Sequence, residues 1–386
     1  MKYHTFQTRT AFIFLFAVCF LAVSIRAAQA FEPVRPAIVS PRLTASGGAN
    51  PARTGLGIDT LSTNPAALAF AERELRILGV SAAVSGQFAE IPGILDSEDI
   101  ADAVIQSVRK NSGVYFGLDA TGPLSLAYVN RNFGLGIFNR TFASADAAAI
   151  TSGRIAIGEE ILITGGFGFK LLETRNHELS LGIQGKAFVQ LPFSEEGSIT
   201  SLIEKFKGFS LDEQPADTAF GIGFDAGILY RFAGCLSAGL VCRDVYTPVF
   251  YSSYDSLAAL KDGRKASSGH TTMDRQLAAG ISWSAPIPRS WHTITGFTAS
   301  LGYSDLLSIA DPLARNPVLN VTLGAEATFF HILSLRAGIH DTYPAVGLGL
   351  NLRVIRLDLA VYGEELGLEP GERGVFNAAV GLSFGF

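Results

Sequence analysis

The chain closes on FNAAVGLSFGF, Phe376 to Phe386. Phe376, Ala378, Val380, Leu382, Phe384 and Phe386 share one parity, and Asn377, Ala379, Gly381, Ser383 and Gly385 the other. A period of two marks a strand with one apolar face and one small or polar face. The pattern recurs along the chain. In FGIGFDAGILYRF, Phe220, Ile222, Phe224, Ala226, Ile228, Tyr230 and Phe232 oppose Gly221, Gly223, Asp225, Gly227, Leu229 and Arg231. LSLGIQGKAFV (Leu179 to Val189) and LNVTLGAEATF (Leu319 to Phe329) alternate in the same way. A strand of this kind must cover its apolar face with either a protein core or lipid.

Counting such segments back from the C-terminus predicts strands near 375–386, 355–363, 345–353, 333–340, 317–329, 293–305, 273–286, 236–247, 218–232, 178–190, 161–173, 133–142, 113–130 and 74–87. The count is fourteen, and an even number returns both termini to one side, as in bacterial outer-membrane barrels. Short connections (131–132, 174–177, 233–235, 330–332) then alternate with long ones (88–112, 143–160, 191–217, 248–272, 306–316). Short turns belong to the periplasmic side and long loops to the outside. The brief connection at 341–344 is the misfit, falling where an outer loop belongs. A secreted sandwich alternates too, but its wet face is normally rich in Lys, Glu and Asp. Here that face is mostly Gly, Ser, Thr and Asn, which suits a crowded barrel interior.

The N-terminus points to export. Lys2 and Arg9 precede the apolar run AFIFLFAVCFLAV (Ala11 to Val23), and Ala28-Gln29-Ala30 supplies a small-x-small cleavage site. This is the pattern of a secretory signal peptide, its run shorter than the roughly 20 residues of a membrane-spanning helix. Residues 1–30 are therefore expected to be removed. The whole chain carries 30 basic and 35 acidic side chains, and loss of Lys2, Arg9 and Arg26 makes the remainder more acidic. That excludes a nucleic-acid surface. Hydrophobic residues make up 48% and charged residues only 17%. Beyond the leader no 18-residue apolar run occurs, so the hydrophobicity is dispersed, as an alternating lipid-facing wall requires. Cys235 and Cys242 would lie about 23 Å apart along one strand, too far for a disulfide. No CxxC spacing occurs, and no metal or cofactor is expected.

Between leader and first strand lies GGANPARTGLGIDTLSTNPAALAFAEREL, Gly47 to Leu75. Asn64 before Pro65 can cap a short helix that runs through Ala66, Ala67, Leu68, Ala69 and Phe70. Such a helix either sits inside the barrel as a plug or tidies the entrance to the first strand. The Gly-rich stretch, the Asn64-Pro65-Ala66 motif and the terminal Phe together resemble the FadL-like outer-membrane transporters and their PorV-like relatives, with Ala67 where glycine is usual. The resemblance implies an all-β fold, a fourteen-stranded antiparallel transmembrane β-barrel (74–386) with an N-terminal plug or hatch segment (31–73). It also implies contact with outer-membrane lipid, reading of the last strand by the barrel-assembly machinery, and a hydrophobic small-molecule ligand such as a long-chain fatty acid.

Parity places Lys186, Asp225, Arg231, Arg243, Glu326, Arg336, His340, Arg353, Arg356 and Asp358 inside the barrel, and a three-residue turn at 330–332 sets Glu326 opposite Arg336. These charges either neutralise one another and tie plug to wall, or offer a carboxylate-binding site in which Arg231, Arg243, Arg336 and Arg356 are the candidates. Two long connections carry helical patterns, Asp99 to Val108 and Ile199 to Phe209, whose apolar faces either gather a ligand or cap the barrel mouth. GIGFDAG (Gly221 to Gly227) imitates a dinucleotide loop but sits inside a strand. Ser334 and His340 are about 20 Å apart along one strand, so no nucleophile meets a base and an enzyme is not expected. Two functions remain: a transporter of hydrophobic molecules, or a PorV-like scaffold for secreted or surface proteins.

Overall fold

The alternating segments close into a wall in the structure, a computed structural model that describes residues 33–97, 100–111, 113–207, 214–288, 290–311 and 314–386. The expected leader, 1–30, lies outside the described residues, as do Asp99 and Phe209 at the ends of the two helical patterns. The strands are β1 (Glu74–Gly86), β2 (Val114–Asn130), β3 (Phe133–Ala149), β4 (Ser152–Glu173), β5 (His177–Gly197), β6 (Ala216–Phe232), β7 (Leu236–Tyr246), β8 (Pro248–Tyr254), β9 (Ser267–Thr272), β10 (Gln276–Ser284), β11 (Ile294–Tyr303), β12 (Val321–Phe329), β13 (Leu333–His340), β14 (Tyr343–Leu352), β15 (Ile355–Glu365) and β16 (Gly374–Gly385). Each pairs antiparallel with its neighbour, β7 passes directly to β10, and β1 pairs with β16. Fourteen strands thus form a closed barrel. Only β8 and β9 stand outside it, on a second partner edge of β6 beyond the end of β7.

The outside of the barrel is apolar. Phe220, Ile222, Phe224, Ile228, Tyr230 and Phe232 all project outward, Ile222 with 52% of its surface exposed, while Ala219, Asp225 and Leu229 on the other parity are buried. The terminal strand behaves alike: Phe376, Val380, Leu382 and Phe386 face out, and Asn377 and Ala379 face in. An apolar exterior around a closed ladder, in which the barrel strands pair with one another, is the condition for a wall that lipid can surround. Among the described residues no helix is long and apolar enough to cross a membrane.

Three local expectations need correction. The stretch 143–160 is not a loop, because β3 and β4 occupy it and meet within it at a tight turn at 150–151. The stretch 248–272 holds the β8–β9 hairpin and a short helix, Leu257–Lys261. Residues Pro317–Asn320 form a 3-10 turn capped by Asn316, so β12 begins only at Val321. The 341–344 misfit is real: Asp341 and Thr342 turn directly from β13 into β14, both with positive φ.

One part of the wall is irregular. Between Thr121 and Ser125 strand β2 spans the distance that β3 covers from Arg140 to Phe138, so β2 carries two residues more than its partner. The β1–β2 ladder is also interrupted, between Arg76 and Ser81. The surplus lies at Gly122, Pro123 and Leu124, where the Leu124 N–H donates to the Asn139 Oδ1 at 2.9 Å instead of to a backbone carbonyl. A bulge of this kind bends the strand and breaks the ladder locally.

Candidate functional site

Residues 35–71 run along the inner wall. Their course starts from local chemistry. Ser40 accepts from the Leu43 N–H to cap Pro41–Ala45, and Asn64 accepts from the Ala66 N–H at 2.9 Å to cap the 3-10 helix Pro65–Phe70. Both helices place Pro at their first position, where no N–H is needed. Asn64 is fully buried, and its Nδ2 donates to the carbonyls of Pro51 at 2.8 Å and Ile228 at 3.2 Å, so one side chain ties the motif to its own segment and to β6.

Inward glycines make the contact possible. A Cβ at Gly182 on β5 would collide with Pro65 and Ala66, at Gly227 on β6 with Asn64, and at Gly239 on β7 with Pro51. At Gly280 on β10 it would meet Asn50, at Gly324 on β12 Ser46, and at Gly347 on β14 Ala45. The segment therefore passes from β14 round to β5 with its backbone seated where the wall has no side chains. Gly223 belongs to the same face but is filled by the Thr247 side chain, so it is inward without being roomy.

Charges complete the attachment. Glu326 on β12 accepts from three guanidiniums: Arg42 at 3.0 Å, Arg53 at 2.8 Å and Arg336 at 3.3 Å. Arg336 donates its Nη1 to Asp358 on β15, at 2.5 Å. Across the barrel the Lys186 Nζ lies 2.7 Å from both Asp225 and Asp244, and Asp244 also accepts from the Arg35 Nε at 2.9 Å. At the end of the segment Phe70 lies under the Arg231 guanidinium, 4.2 Å from its ring centre, while Arg231 and Lys170 both bind Glu178. These pairs are buried or half-buried, where a carboxylate without its cation would be costly.

The five candidate ligand residues do not form one site. Glu326, Arg336 and Arg356 line a cavity of about 790 Å³ at the rim that holds the turns 330–332 and 353–354, together with the start of β1 and the end of β16. Arg356 is paired there with Glu74 at 2.8 Å. Arg231 is engaged by Glu178 and Phe70, and Arg243 donates to Gln276 at 3.0 Å and to the Ser62 carbonyl at 3.3 Å; neither borders the cavity. Reading the strands alone missed Arg35, Arg42 and Arg53. A signal was present: residues 33–58 contain these three arginines and no acid, while inward parity already held Glu326. On the opposite rim, Ile100–Asn111 packs on Ile199–Lys207, with Val108, Val114 and Ile199 at the centre of an apolar cluster. Glu90 ties down the first of these helices. Hydrogen bonds from Ser107 and then Lys110 lower its carboxyl below the ordinary value.

The architecture is that of a closed fourteen-stranded barrel with an apolar exterior and its own N-terminal segment bound along the inner wall. No protein-family model and no curated protein matches the chain. Among solved structures it is similar to the Pseudomonas putida toluene transporter TodX, at 13% identity and a TM-score of 0.44 over 92% of this chain and 100% of that one. The Ralstonia pickettii toluene transporter TbuX is similar at 14% identity and a TM-score of 0.48, over 90% and 98%. A Pseudomonas aeruginosa FadL homologue is similar at 13% identity and a TM-score of 0.44, over 88% and 96%.

Proposed function

We propose that the chain is an outer-membrane barrel that carries hydrophobic small molecules, long-chain fatty acids among them, and that the segment 31–73 is its hatch. The observation that supports this reading is the meeting of hatch and bulge. The Val39 N–H donates to the Thr121 Oγ1 at 3.0 Å, at the base of the β2 bulge, and the Ala37 N–H donates to Glu160 on β4 at 3.3 Å. A shift of residues 35–39 uncovers the interrupted part of the wall from inside, while the fourteen-strand ladder stays closed elsewhere. An apolar molecule then has a route that avoids the charged lumen, leaving between strands toward lipid.

Locking is the test. Val39→Cys with Thr121→Cys, oxidised in the assembled barrel, should abolish uptake of a hydrophobic dye into liposomes or cells, and reductant should restore it. Equal uptake by locked and reduced protein would refute the hatch. If the wild-type barrel moves no hydrophobic molecule at all, the PorV-like scaffold takes the place of transport.

A further inference from the structure

We infer that the barrel associates side by side with a second copy of itself, Glu159 of one copy meeting Arg275 of the next on their lipid-facing surfaces. The contact goes beyond transport and does not depend on what the barrel carries. Lys186, Asp225, Arg231, Glu326, Arg336 and Asp358 all turn inward, but Glu159 turns outward. It stands on β4 with the parity of Ile157, Ile161 and Ile163, all exposed, and opposite the exposed Leu191 on β5. Its Oε1 accepts from the Thr141 hydroxyl at 2.7 Å, and among the described residues it enters no ion pair. An ionised group facing hydrocarbon is costly, and the cost points to a partner that completes it.

A charge of opposite sign lies elsewhere on the same surface. Arg275 precedes β10 on the parity of Leu277, Ile281 and Trp283; it is exposed, and the exposed Tyr246 and Phe250 stand beyond it. Its Nε donates to the Val245 carbonyl at 3.0 Å, and its terminal nitrogens have no partner among the described residues. The two charges share a level. Residue 159 is eight positions from Phe167, which faces Phe133, the first residue of β3; residue 275 is eight positions from Trp283, which faces Leu236, the first residue of β7. Both counts begin at the turn rim. Within one barrel the pair cannot form, because β5, β6 and β7 separate β4 from β10, roughly 19 Å around the wall. The chain itself carries both members of the pair at matching depth, and this identifies the occupant as a second copy. The two patches differ, so the contact is head-to-tail and leaves a free charge at each end for further copies. Small outward residues flank both charges, Ala120 and Ala143 on one side and Ala226, Cys242 and Ala279 on the other, and let the two walls approach.

The test uses the full-length barrel reconstituted at low density in phosphatidylcholine vesicles, with donor or acceptor fluorophores at the amino terminus. Energy transfer between wild-type copies should exceed the level of random mixing at the same density. Glu159→Lys and Arg275→Glu should each weaken association at least about tenfold, since one charge-assisted contact becomes repulsive. Mixing these two variants, one as donor and the other as acceptor, should restore transfer, because each offers the charge that the other lacks. Both changes lie on the outer surface, and each variant should keep the heat-modifiable mobility of the folded wild type. Glu159→Gln, which keeps the shape of the side chain, should also weaken association. Wild-type transfer at the random level would overturn the inference, as would full transfer in both charge-reversed variants. A loss that mixing does not restore would overturn the pairing of Glu159 with Arg275 and show that something other than a second copy covers these charges.

Discussion

Glu326→Gln is the sharpest perturbation of the bound N-terminal segment. The glutamine keeps the shape and removes the charge that Arg42, Arg53 and Arg336 share. Arg336 retains Asp358, and Arg42 retains the Leu56 carbonyl at 3.3 Å, but Arg53 is left with no carboxylate. Its guanidinium is 4% exposed and has two nitrogens without partners already. Removing one member of a buried pair costs about 3 to 5 kcal/mol. The cost falls on the segment rather than on the barrel, because the β11–β12–β13 ladder is made by backbone groups. Release of residues 41–66 should therefore become at least about 100-fold more frequent, at 1.4 kcal/mol per factor of ten. Limited trypsin digestion reads this directly, since cleavage after Arg42 and Arg53 follows the open population when opening is fast relative to cleavage. The heat-modifiable mobility of the barrel should stay that of the wild type. Adding Arg53→Met should recover part of the protection, because the stranded charge is then gone. Unchanged cleavage in Glu326→Gln, or barrel unfolding that shifts in step with cleavage, would refute a separately held segment.

Four further outcomes are expected. Phe224→Arg puts a charge on the lipid face and should cost about 2 to 4 kcal/mol near the bilayer centre, read as a lowered folded fraction in urea titrations in lipid vesicles. Gly223 gives no tolerant comparison, since Thr247 fills its space; Asp217→Lys, on the inner parity near the outer rim, should lose less. Asn64→Ala removes the cap on Ala66 and the donors to Pro51 and Ile228; it should loosen the segment by about 1 to 2 kcal/mol and alter uptake while assembly stays normal. Deleting Phe386, whose N–H and carbonyl pair with Leu75, should reduce the amount of heat-modifiable protein in the outer membrane, and unchanged assembly would deny the last residue a role in recognition. Glu90 has a lowered folded pKa, so its contribution to the outer helix is complete above the ordinary value of 4.5 and vanishes as pH falls through the lower folded one; proteolysis of Ile100–Asn111 should accelerate only in that acid range.

Alternation is a local property, and everything that depends on it could be read from the residues. The number of barrel strands, the outward face of Phe220 to Phe232 and the approach of Glu326 to Arg336 follow from a period of two and the length of one turn. Even the short outer turn at 341–342, which looked like an error in the count, is there. Length was harder to read, because β3 and β4 extend further than their alternating parts, through TFASADAAAITSGR (Thr141 to Arg154), which no longer alternates between apolar and polar, and only cross-strand pairing keeps the chain extended there. The binding of the N-terminal segment depended on the closed barrel. Arg42 and Arg53 lie 284 and 273 residues from Glu326 in the chain, and the glycines that admit the segment come from strands scattered between β5 and β14. In the sequence each is one more small residue on a strand. Only closure of the ladder brings them to one level, and only then does an unaccompanied run of arginines meet the carboxylates that hold it.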